Sequence, residues 1–259
     1  MSARYGALGL RTYGHFAGAE KGMHPSIPEQ TKGKKRRPKK RLGQSLVEFT
    51  ILLPLLMMML SGLIEFGIAL NHYLDLVDSA REVSRFSADD DPVHDDTTAV
   101  FTLYNGLFYA RALNYAKYNL GQARQLTLDE DTDDVVVSIF AVTGKTVTAR
   151  YPPAFTDSDA TRPTCVGQPN GGELGWRAFC HHASKFSSAD VTALLAPLPP
   201  LPAPLPALPA NTGVVLVEIF YDYNMVLGLP WITAVVNDPI ELHAYSLYPN
   251  VASEPTPTP

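Results

Sequence analysis

Cysteine and tryptophan are scarce in this sequence, with two of each among 259 residues. Cys165 and Cys180 are too few to staple a disulfide-dense scaffold, and in an exported body they suit one bridge closing a short loop. With His181 and His182 they fall short of the paired-cysteine pattern that holds zinc. Signatures of catalysis are missing too. No Gly-rich phosphate loop, no G-x-S-x-G and no H-E-x-x-H occurs, so no catalytic residue, cofactor or enzyme activity is expected. Asp129, Asp131 and Asp133 are spaced as in a calcium loop. Asp134, however, stands where the turn glycine belongs and Phe140 where the bidentate glutamate belongs, so a solvated acidic turn is expected and no metal.

Basic charge is thin over most of the chain. Eleven of its Lys and Arg residues, against two acids, fall within Met1–Gly43, while ten bases and twenty-four acids share the rest. The block from Lys34 to Arg41 ends immediately before a run in which Phe49 to Ile64 carry no charge at all. Basic residues close to a spanning helix stay on the cytoplasmic side, so the expected topology is N-terminus inside and acidic body outside. Read alone, the block also fits a nucleic-acid patch. It lacks interleaved aromatics and adjoins an apolar run, so no nucleic acid is expected.

The uncharged stretch spans about 24 Å of helix at 1.5 Å per residue, whereas a full crossing takes about 20 residues. Extending it to Leu46–Leu70 is long enough but includes Glu48 and Glu65. A secretory signal would have a shorter apolar core followed by small residues at a cleavage site. Here the run continues into "NHYLDLVDSAREVSRFSA" without such a site, and a retained anchor is expected. Leu70, Leu74, Val77, Ala80 and Val83 recur at helical spacing as one apolar stripe, with Asp75, Asp78, Glu82 and Arg85 on the other side. The expectation is one helix of roughly forty residues, apolar all round and then amphipathic, closed by "ADDDP".

Beyond it, 97–126 reads as a second amphipathic helix, with Phe108, Tyr115 and Tyr118 as core candidates. "DDVVVSIFAV" and "GKTVTARY" read as two strands joined by a tight turn at Gly144 and Lys145. Residues 152–185 read as an irregular loop. The low-complexity "PLPPLPAPLPALP", 197–209, reads as a stiff polyproline spacer, with docking to a proline-reading module as the sharper alternative. "TGVVLVEIFYDYNM" and "PIELHAYSLYP" read as further strands. Between them "MVLGLPWITAVV" is too short to span a bilayer and suits a buried or interfacial segment. The fold class expected is α+β with antiparallel strands. Its divisions are a basic leader over 1–43, an anchor helix over 44–90, an exported body over 91–248 and a tail over 249–259.

The stretch Gly43-Gln44-Ser45-Leu46-Val47-Glu48-Phe49 follows the basic leader. A glycine, four variable residues, a glutamate and an aromatic before an apolar helix resemble the cleavage region of type IV prepilins. With Leu53-Pro54, Glu65-Phe66-Gly67 and Ala80-Arg81-Glu82, the segment from Arg41 to about Ala88 resembles the N-terminal signature of TadE/TadG-like pseudopilins. That resemblance implies cutting between Gly43 and Gln44 by a membrane prepilin peptidase, where glycine lets the backbone approach closely. It also implies that Glu48 pairs with the new α-amino group of an adjacent subunit, and that Glu48, Phe49 and Glu65 serve assembly. Membrane lipid, the peptidase and other pilins of a tight-adherence apparatus are the implied partners, at the inner membrane or in a pilus. A plainer reading stays open for the two acids. Placed 17 residues apart, about 25 Å along a helix, they would bracket the hydrocarbon with both carboxylates in water, Glu48 facing Arg41 in the same chain.

Overall fold

The computed structural model describes residues 42–92, 94–95, 100–101, 106–195 and 211–250. Residues 1–41 of the basic leader, the proline-rich stretch over 197–209 and residues 251–259 of the tail lie outside the described residues.

Leu42–Ala88 forms a single helix, α1, of 47 residues, about 70 Å long at 1.5 Å per residue. Pro54 sits inside it, where it removes one internal hydrogen bond. From Leu46 to Leu60 every side chain is exposed, whereas from Ser61 onward one face of α1 is covered by the rest of the chain. Among the described residues this is the one helix long and apolar enough to cross a membrane.

The covered face keeps Val77, Ala80 and Val83 of the expected stripe but not its first two leucines. It runs through Glu65, Leu76, Ser79, Ala80, Val83, Ser84 and Ser87, all buried, while Leu70 and Leu74 point outward. The two sets part company only toward the N-terminal end, where Leu70, Leu74 and Leu76 all fit helical spacing and periodicity alone could not say which are covered. Small residues and hydroxyls decide the matter, because they bring α1 close to the sheet. Ser84 Oγ meets Ser246 Oγ at 2.8 Å, and the Asn250 amide donates to the carbonyls of Ser87 and Asp90.

The main sheet is antiparallel and five-stranded, and Phe155–Thr156 and Pro169–Asn170 form a separate two-stranded ladder within the stretch expected as loop. β1 (Asp134–Thr143) and β2 (Thr146–Tyr151) form a hairpin turning at Gly144 and Lys145, both at positive φ, as the sequence led one to expect. β3 (Trp176–Arg177) pairs with β1 beyond the end of β2. β4 (Asn211–Tyr223) lies on the other side of β1 and pairs in turn with β5 (Ile240–Asn250), giving the order β2-β1-β4-β5.

One sheet face carries Val135, Val137, Ile139, Val215, Val217, Ile219 and Ala244. It packs on α1 and on α2 (Gly106–Tyr118), whose Phe108, Tyr109, Ala112 and Ala116 are buried. The opposite face, with Phe140, Val142, Val214 and Leu216, is covered by Val191 of α3 (Ser188–Leu195) and by Phe186. β1 is therefore buried on both faces, which explains its nearly unbroken apolar run. The fold is α+β, with helix on both sides of the sheet. The helix expected over 97–126 is shorter: Val100–Phe101 pair as a short strand with His94–Asp95, α2 spans Gly106–Tyr118 and a π-helical turn follows at Asn119–Ala123. Of its core candidates Phe108 is buried and Tyr115 half-buried, but Tyr118 is exposed.

Candidate functional site

α1 carries the prepilin-like residues in its bare first half. Gly43 and Glu48 are exposed, as is Phe49, and a Cβ added at Gly43 would meet nothing within 4 Å. Among the described residues no ion pair engages Glu48. Arg41, the partner considered for it within one chain, lies outside those residues. The structure leaves Glu48 and Glu65 on different stretches of α1, one bare and one covered.

Glu65 departs from the bracket reading, in which its carboxylate stays in water. Its exposure is 3%. Tyr223, the last residue of β4, donates its hydroxyl to Oε1 at 2.6 Å, and the backbone amides of Val226 and Leu227 donate to Oε1 and Oε2 at 2.8 Å each. His72, two turns along α1, packs edge-on against the Tyr223 ring at 5.1 Å between centroids. A carboxylate deprived of water needs such donors, since an unpaired one inside lipid costs about 2.5–3.5 kcal/mol on insertion scales. The sequence shows the acid but not its donors, two of which are backbone groups of a loop far along the chain. Burial, and then the hydrogen bond to Glu65, pushes the Tyr223 hydroxyl up to about 12.

The loop that supplies these amides leaves β4 at Tyr223 and returns at β5. Asp238 accepts from the Met225 amide and draws its neck together. Its short helix α4 (Pro230–Thr233) touches α1 through Trp231, whose indole donates to Ser61 Oγ at 3.1 Å. Of the two placements the sequence allowed for this segment, burial is not the one observed: Val226, Leu227, Trp231, Val235 and Val236 are all exposed.

Several other polar clusters are consumed by structure. Cys165 and Cys180 are joined in a disulfide and cannot act as thiolate ligands beside Asp157. Asp133 accepts from the amides of Asp129 and Asp222, and Asp134 from those of Phe179, His181 and His182, so both carboxylates organise turns. Ser184, Glu218 and His243 lie together, but Ser184 donates to the Glu218 carboxylate and His243 contacts the other oxygen. His243 thus reaches Glu218 and not Ser184, and the serine–histidine hydrogen bond of a nucleophilic pair does not occur among the described residues. The groove between α2 and 155–164 holds Lys117 and Arg162, already paired with Glu130 and with Asp157 and Asp159. Ala80 of the Ala-Arg-Glu triplet is buried, while Arg81 and Glu82 pair with Asp78 and Arg85 on the surface.

The helix is the part of the chain with known likeness. The family described as TadE-like protein matches residues 43–85, nearly the whole of α1. No curated protein and no solved structure matches the chain.

Proposed function

We propose, with the TadE-like segment over 43–85 as premise, that this chain is a membrane-anchored minor pilin or pseudopilin of a tight-adherence-type pilus or secretion apparatus. The observation that carries this reading is the division of α1. Its first half is bare, apolar and headed by the Gly43-to-Phe49 pattern, and its second half is clasped by the body. A helix exposed on all sides over that length needs lipid or other helices around it. The basic block before it sets the N-terminus in the cytoplasm and the acidic body outside.

In this role the chain works by packing and not by catalysis. A prepilin peptidase cuts between Gly43 and Gln44, and Glu48 then meets the α-amino group of a neighbouring subunit, with Phe49 beside it. Glu65 contributes to assembly from inside the subunit, holding the body in one orientation on α1.

The test is the mature N-terminus of membrane-extracted protein, read by mass spectrometry beside a Gly43→Ala form. The open space around Gly43 keeps that substitution from disturbing the fold. A start at Gln44, lost in the variant, is expected. An intact leader in the wild type would overturn the pilin mechanism and leave a permanent envelope anchor with an extracytoplasmic binding body.

A further inference from the structure

We propose that the loop Asn224–Asn237 is a second membrane contact: a hook that inserts its apolar side chains into the outer interfacial layer of the bilayer, beside the point where α1 emerges. The inference rests on the membrane-anchor reading of α1 and goes beyond it. No charged residue occurs from Asn224 to Asn237, although Asp222 and Asp238 stand just outside each end. Five large apolar side chains in the loop are exposed, Trp231 at 41% and Val235 at 86% among them. A cluster of this kind on a body otherwise rich in acids marks a contact surface.

Its position identifies the occupant. The amides of Val226 and Leu227 tie the loop to Glu65, and Trp231 reaches Ser61, one helical turn or about 6 Å nearer the bare half of α1. Leu63, Ile64 and Phe66, at the same level of α1, are also exposed. Helix and loop together therefore present a continuous apolar band where the bare helix ends. Tryptophan, with an apolar ring and one N–H, favours that depth of a bilayer. Lipid covers such a band on every side, whereas a second copy would cover only part of it.

The test uses the full chain in phospholipid vesicles. Trp231 emission is obtained as the difference between wild type and Trp231→Phe, which alters an exposed side chain and leaves the buried Trp176 as common background. Lipids brominated on the acyl chain near the headgroup are expected to quench the larger part of the Trp231 signal, while aqueous acrylamide leaves it nearly intact. Quenching by acrylamide with indifference to bromolipid would overturn the hook. Protection from both quenchers would overturn it too, in favour of a contact between copies. Alkaline carbonate extraction reads the anchor separately. Retention on the vesicles with an acrylamide-accessible Trp231 sinks the hook alone, and release from the vesicles sinks the anchor and the hook with it.

Discussion

The hydroxyl of Tyr223 donates a 2.6 Å hydrogen bond to the carboxylate of Glu65, 158 residues earlier in the chain. This contact, with the two amides that follow Tyr223, fastens the end of β4 to the middle of α1. Tyr223→Phe removes a hydrogen bond to a charged group, an interaction worth about 1.5–3 kcal/mol. Glu65→Ala removes the acceptor of all three donors and is expected to cost more. Thermal unfolding in detergent reads both losses, and cleavage by protease within 224–229 is expected to accelerate most in Glu65→Ala. An unchanged cleavage rate there would mean the loop is held by other contacts.

Tyr223 also makes the clasp sensitive to alkali. Its hydroxyl titrates near 10 when free and at about 12 in the fold, first because it is buried and then because it donates to Glu65. The folded state holds this proton more tightly than the unfolded state does. The stabilisation is therefore complete below pH 10 and is lost as pH rises through about 12. Wild-type stability is expected to fall across that window, and Tyr223→Phe is expected to fall less. Parallel curves for the two proteins would exclude Tyr223 as the origin.

Two leucines of α1 separate the buried face from the outward one. Leu76 is fully buried and Leu74 is 54% exposed. Leu76→Ala is expected to destabilise the body by roughly 2–5 kcal/mol. Leu74→Ala is expected to stay within about 0.5 kcal/mol, as surface substitutions usually do. Denaturant unfolding of the two variants checks the assignment of faces, and equal losses would contradict it.

The Cys165–Cys180 bridge closes a loop of sequence separation 15, for which loop-closure entropy predicts about 3 kcal/mol. The double Cys→Ser variant is expected to lower the unfolding free energy by about that amount, read by denaturant unfolding. Reductant is expected to move wild type toward the variant and leave the variant unchanged.

Several elements were readable from residues alone. α1 follows from an apolar run too long for anything but a crossing or a central core, and the β1–β2 hairpin from β-branched residues flanking Gly144 and Lys145. β3 and α3 were not readable. Trp176 and Arg177 are too few to show alternation and pair only because β1 extends past β2. α3 has eight residues between a loop and a proline-rich stretch, and so offers little periodicity of its own.

By itself the sequence determined the charge asymmetry about the apolar run, the length of that run and the Gly43-to-Phe49 pattern, because composition and spacing are local properties. Tertiary structure decided which side of α1 is covered and what becomes of Glu65. Both depend on β4 returning to α1, an encounter between residues more than 150 positions apart. The same carboxylate that reads as an acid facing water is satisfied inside the protein, because three donors from the end of β4 and its loop reach it before water does.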